Sequence, residues 1–192
     1  MKQIICLSHS PWHANPSRTY QLLSRFKNGR IIFFDPPLSG NGEHHWRDEG
    51  QQVAKNVTLH GSPPKGKTAE SRRFFNKAYQ KRLASHVAAV MRDYAFDKPL
   101  LWLTEPYSAD FVGKMSHGAV IYDYQELACA ETTRKDALRA ALAAELLRKA
   151  DVVIGQTKSA CDTLRAANEC AVLVPNGVDY ALFSRAASAN LA

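Results

Sequence analysis

No stretch of this 192-residue sequence stays apolar for the ~18 residues that a transmembrane helix needs. The first apolar run, Ile4-Ile5-Cys6-Leu7, is only four residues long and no small-residue cleavage site follows, so no signal peptide is expected. Cysteine is scarce: Cys6, Cys129, Cys161 and Cys170 stand apart without CxxC spacing. That pattern argues against a zinc site or a redox pair and fits a reduced, cytoplasmic setting. Glycine is missing from the loop after the first predicted strand, Ser8-His9-Ser10-Pro11-Trp12-His13. A nicotinamide-binding GxGxxG turn needs glycine there, which sets a dehydrogenase aside. Internal repeats and low-complexity tracts are also absent.

What is present is a globular composition, 45% apolar and 22% charged, at a length suited to one domain. The net charge of +7 is concentrated. Residues 55–92 hold nine basic side chains (Lys55, Lys65, Lys67, Arg72, Arg73, Lys77, Lys81, Arg82 and Arg92) against Glu70 alone, and the rest of the chain is close to neutral.

Short apolar runs alternate with amphipathic ones. Strands are predicted over Gln3–Ser8, Arg30–Asp35, Leu100–Thr104, Ala119–Tyr124, Val152–Gly155 and Ala171–Val174, with Val57–His60 a weaker seventh. Runs such as Ile31-Ile32-Phe33-Phe34 suit a parallel sheet covered on both faces. Helices are predicted from Ser17 to a stop at Asn28-Gly29, and from a Ser71 cap along the face Phe75, Ala78, Tyr79, Leu83, Val87, Val90 and Tyr94. Further helices are expected over Ala109–Met115, Thr133–Lys149 and Lys158–Asn168. Residues 36–56 read as one long polar connection. The alternation specifies an α/β fold: a doubly wound, mostly parallel, Rossmann-like sheet of six or seven strands, with Gln3–Ser8 central and helices on both faces. Ligands of such sheets bind at the strand C-terminal edge, where the strand order reverses.

The last third carries the most specific text. Ala150-Asp151-Val152-Val153-Ile154-Gly155-Gln156-Thr157 precedes Val172-Leu173-Val174-Pro175-Asn176-Gly177-Val178-Asp179 and then Phe183. This resembles the N-terminal domain of retaining, GT-B-fold glycosyltransferases of family 4. The front of the chain, with Ser8-His9-Ser10-Pro11-Trp12, Arg18 opening a helix and a second strand running into Asp35-Pro36-Pro37, looks like a bacterial subgroup that makes surface polysaccharides. Leu101-Trp102-Leu103-Thr104-Glu105-Pro106 resembles that family's fourth-strand exit. The resemblance implies a nucleotide-sugar donor, a glycan or lipid-linked acceptor, and no other cofactor. It also implies a second domain holding the donor's diphosphate, of which residues 1–192 carry no sign. Two departures stand out: the first loop lacks the family's glycine pair, and Thr104 replaces a cleft histidine.

Within that picture His9, Thr104 and Glu105 are the candidates for chemistry. Ser8, His9, Trp12, His13, Arg18, Asp123, Glu126, Asn176 and Gly177 are the candidates for substrate contact. His9 and His13 titrate near neutrality, and Trp12 is able to stack on a sugar ring or to cover the sheet edge. Arg18 sits badly for a helix dipole, which suggests that it faces an anion. Asn176-Gly177 suits a sharp turn with positive φ, and Asp179 a helix cap. Ser8, His9, Trp12, Arg18, Thr104, Glu105 and Asn176 are expected to converge on one concave edge. The basic helix, with Arg72, Arg73, Phe74, Phe75, Lys77, Tyr79, Lys81 and Arg82, is either a solvated face or a contact for anionic lipid on the inner face of the cytoplasmic membrane. No nucleic-acid motif accompanies it. His44-His45, with no third ligand nearby, do not signal a metal. The rival to a transferase is a stand-alone α/β regulatory or membrane-docking module.

Overall fold

The computed structural model describes residues 1–13, 17–37, 50–125, 133–177 and 180. Among the elements are strands β1 (Lys2–Leu7), β2 (Gly29–Asp35), β3 (Gln51–Ala54), β4 (Val57–Gly61), β5 (Leu100–Leu103), β6 (Val120–Asp123), β7 (Val152–Gly155) and β8 (Ala171–Leu173). The helices are α1 (Arg18–Ser24), α2 (Arg73–Asp93), α3 (Arg134–Lys149) and α4 (Lys158–Arg165), with 3-10 turns at Lys67–Glu70 and Pro106–Asp110. No helix among the described residues is long and apolar enough to cross a membrane.

The strands form one eight-stranded sheet in the order β3-β4-β2-β1-β5-β6-β7-β8, parallel except for the β3–β4 pair. The chain first builds outward from β1 through β2, then returns to add β5 on the other side of β1. Right-handed crossovers therefore put the helices of the two halves on opposite faces, and the order reverses beside β1. α1 and Trp12 cover Ile4, Cys6, Ile31, Phe33, Val57 and Leu59 on one face. α2, α3 and α4 cover Ile5, Leu7, Ile32, Phe34, Leu101, Tyr122 and Val153 on the other. The four apolar residues of β2 are each almost wholly buried, as their unbroken run requires.

Several local expectations are corrected. β3 lies inside the stretch expected to be a polar connection. It is a short, largely exposed edge strand whose Gln51 and Gln52 give no apolar alternation. α1 ends at Ser24, and Gly29 opens β2 instead of closing the helix. A Cβ there would fall 2.6 Å from the Lys2 carbonyl oxygen, so close strand pairing demands the glycine. Ser71 does not cap α2, because its hydroxyl donates to the Thr68 carbonyl. The Ala109–Met115 helix is a 3-10 turn followed by looser turns. Thr133 caps α3 reciprocally with Asp136. The helix after Asp179, and Phe183, His44, His45, Cys129 and Glu126, lie outside the described residues.

His60 of β4 is buried, stacked on Phe34 at 5.7 Å and edge-on to Tyr94 at 5.4 Å, with neither ring nitrogen hydrogen-bonded. Burial, then the neighbouring His86, hold its pKa below the usual 6.5, against a weaker opposing pull from Asp93. The unfolded chain therefore binds the proton that the folded one refuses, and His60 removes stability as pH falls below about 6.5. Urea midpoints at about pH 7.5 and 5.5 should show a smaller acid loss in His60→Phe than in the unaltered chain. Equal pH slopes in the two proteins would contradict this.

Candidate functional site

The exits of β1, β2, β4 and β5 open into a cavity of about 710 Å³ on the α2 face of the sheet, beside the point where the strand order reverses. Ser8 and His9 enter from β1, Pro36 and Pro37 from β2, and Ser62, Pro64 and Lys65 from β4. Glu105 and Tyr107 enter from β5, and the inner face of α2 supplies Tyr79, Gln80 and Leu83. Tyrosine and aliphatic walls with a few placed polar groups are the usual make-up of a small-molecule site.

Three polar groups give the cavity its chemistry. Glu105 begins the 3-10 turn after β5, but its side chain caps nothing, and its carboxylate has no hydrogen-bond or ion-pair partner among the described residues. Burial is the largest influence on it and raises its pKa, opposed by Lys65, Arg139 and Lys135 and aided by Glu70. Gln80 donates to Asn76 through Nε2 at 3.4 Å, while its Oε1 is buried without any partner. His9 is fixed by Thr104, whose hydroxyl oxygen accepts the His9 backbone N–H at 2.9 Å and lies 2.9 Å from Nδ1. Burial, then Arg139, lower the His9 pKa, so the ring is neutral at pH 7. A cavity offering a carboxylate without a partner among the described residues calls for a ligand rich in O–H or N–H donors.

The rim is ordered by ion pairs. Glu70 takes Lys65 at 3.0 Å and also Lys135 of α3, and these partners pull its pKa down against burial. The Lys65 ammonium lies 4.6 Å from the centre of the Tyr107 ring. Asn76, fully buried, donates to the Tyr107 carbonyl and to Asp110, tying α2 to the turn that presents Glu105.

The residues expected on one edge fall into two groups. Ser8, His9 and Glu105 line the cavity, and Thr104 is buried beside His9 and hydrogen-bonded to it. The Ser8 hydroxyl is engaged within its own loop, donating to the Ser10 carbonyl and accepting the Ser10 N–H, which makes the turn without glycine. On the opposite face, Arg18 Nε pairs with Asp123 at 3.0 Å and Nη1 donates to Asn176 Oδ1 at 2.9 Å, while Asn176 Nδ2 donates to Gln156. The anion that Arg18 faces is thus a carboxylate of the same chain. Asp123 is fully buried and cannot meet an acceptor. Trp12 packs edge-on to Tyr20 at 4.8 Å and Phe33 at 5.0 Å, covering the sheet instead of offering a ring to a sugar. His13 is exposed and outside the cavity lining. Gly177 is exposed with open space around it, and neither it nor Asn176 has the positive φ expected of a sharp turn.

Lys65, Tyr79, Gln80 and Tyr107 are cavity residues that sequence reasoning passed over. The available signal was polar Asn76 and Gln80 on the apolar stripe of α2, where an unexplained polar residue marks either a network or a site.

No protein-family model and no curated protein sequence matches the chain. Solved structures do. The apo structure of OtsA superposes with a TM-score of 0.65 over 100% of this chain, at 12% identity. This is a GT-B half-domain fold. The E. coli trehalose-6-phosphate protein bound with UDP-2-fluoro glucose matches with a TM-score of 0.60 at 11% identity, again over 100% of the chain. An alpha,alpha-trehalose-phosphate synthase (UDP-forming) from Burkholderia xenovorans, in complex with glucose-6-phosphate, matches with a TM-score of 0.59 at 12% identity over 100% of the chain. The half domain spans about half the length of these structures, 53%, 52% and 54% respectively.

Proposed function

We propose that this chain is the acceptor-side half of a glycosyltransferase, and that the cavity beside β1 binds the sugar to be extended. The observation that carries the reading is the Glu105 carboxylate, without a partner among the described residues, in one cavity with the ring of His9. Sugar hydroxyls would supply the missing donors, and Tyr79 and Tyr107 an apolar wall for the ring. The half-domain fold and the PNG text of residues 175–177 support a GT-B transferase using a nucleotide-sugar donor. The same text is our ground for a retaining, family-4-like enzyme, and the front of the chain, Ser8 to Trp12 with Asp35-Pro36-Pro37, our ground for one that builds a surface glycan. In that reading the donor's diphosphate is held outside residues 1–192.

The intact gene product, given UDP-glucose and other nucleotide sugars, should consume donor only when a sugar acceptor is added. Residues 1–192 alone should release no nucleoside diphosphate. Turnover by those residues alone, or consumption by the intact product indifferent to every acceptor, would overturn the proposal.

A further inference from the structure

We infer that the first turns of α2 dock on an anionic bilayer. Phe74 is 76% exposed and Phe75 40%, their rings edge-to-face at 5.5 Å, on a helix start where nothing else of the described chain covers them. They are the large apolar side chains that α2 leaves to solvent. Behind them Arg72, Lys77, Lys81 and Arg82 are all exposed, and none forms an ion pair among the described residues. Phe74, Lys77 and Lys81 follow one another at 3–4 residue spacing, as do Phe75, Ala78 and Arg82, so the two apolar rings lead into three basic side chains down one face. Aromatic rings at the acyl boundary with cations at the headgroups is the arrangement by which an interfacial helix holds an anionic surface.

The structure also selects which residues take part. Arg73, the expected centre of the basic patch, turns inward, donating to Asp110 at 2.9 Å and to Glu145. Tyr79 is buried in the cavity wall. Neither belongs to the docking face. Its cations are the unpaired Arg72, Lys77, Lys81 and Arg82, which meet no compensating acid on α2 until Asp93. Repulsion among unpaired like charges on one helix face is relieved by a surface of opposite sign.

The docking face adjoins the cavity. Lys65, Gly66 and Glu70 line the cavity mouth, and the 3-10 turn Lys67–Glu70 leads within a few residues to Phe74. An acceptor carried on a lipid would then reach Glu105 from the membrane. That consequence rests on the acceptor reading, whereas the docking itself does not.

Sedimentation with vesicles of phosphatidylcholine, with and without phosphatidylglycerol, tests it. The chain should pellet with the anionic vesicles only. Binding should weaken steeply as salt shortens the screening length to about 8 Å at physiological ionic strength. Arg72→Glu/Lys77→Glu/Lys81→Glu should lower the partition coefficient at least about tenfold. Phe74→Ala/Phe75→Ala, which keeps every charge, should lower it by a similar factor. Both variants change exposed side chains, and an unaltered melting temperature verifies that they fold. No binding to anionic vesicles, equal binding by the charge-reversed variant, or binding to an RNA or DNA oligonucleotide in place of vesicles would overturn the inference. Loss of acceptor-dependent transfer with vesicle binding intact would instead strike the acceptor reading alone.

Discussion

Replacing Arg18 with alanine should lower the melting temperature by roughly 10 °C. The side chain is 8% exposed and its partner Asp123 not at all, so the substitution leaves a buried carboxylate without its counter-charge. Removing one member of a buried pair costs about 3–5 kcal/mol. Each kcal/mol is about 2–4 °C for a domain of this size. The sequence alone suggested instead a residue that faces an anionic part of the substrate.

The same pair makes a second, discriminating outcome. Burial raises the Asp123 pKa, opposed first by the charge and hydrogen bond of Arg18. Arg18 Nη2 is buried without a partner. A group whose folded pKa lies above its unfolded value loses stability as pH rises through the folded value, so Arg18→Ala should be hurt more at about pH 8 than at about pH 5. Arg18→Met/Asp123→Leu, which removes both charges and fills the space, should recover most of the loss. Differential scanning calorimetry of the three proteins decides it. An unchanged melting temperature for Arg18→Ala would show that the pair is not what joins α1 to the end of β6.

Glu105 should behave in the reverse manner. It has no partner to lose, and its burial already disfavours the charge, so Glu105→Ala should leave the melting temperature unchanged or slightly higher. Sugar affinity should instead fall about tenfold to a hundredfold, the worth of a hydrogen bond to a charged group. Glu105→Gln, which still accepts a hydroxyl, should lose less. A residue that merely shaped the fold would show the opposite split, with lower stability and intact binding.

What could be read from the sequence was whatever depends on local periodicity. Ile31-Ile32-Phe33-Phe34 announced a strand buried on both faces, and the strand–helix alternation announced the doubly wound sheet and its binding edge. β3 was hidden because an exposed edge strand needs no apolar face, and Gln51-Gln52 supplies none. The site was half legible. His9, Ser8 and Glu105 follow strands and so were found by topology. Arg18 and Asn176 also follow that rule, yet they sit on the opposite face, because side chains alternate across a sheet edge that sequence position cannot orient. Gln80 and Tyr79 belong to the inner face of α2, whose charged outer face dominates its sequence. Pairing across long separations, such as Arg18 with Asp123, leaves no local trace.

Under the proposed function the cavity of Ser8, His9, Gln80, Glu105 and Tyr107 binds a sugar acceptor. The most direct test is a heteronuclear NMR titration of the isotope-labelled 192-residue chain with glucose, maltose and glucose-6-phosphate, using UDP-glucose as the donor control. At least one of the three sugars should shift the resonances of His9, Gln80, Glu105 and Tyr107 saturably at millimolar concentration. The Arg18–Asn176 network should stay still, and the uridine diphosphate part should find no site. Silence from all three sugars at tens of millimolar, or shifts gathered around Arg18 and Asn176 with the cavity unmoved, would contradict it.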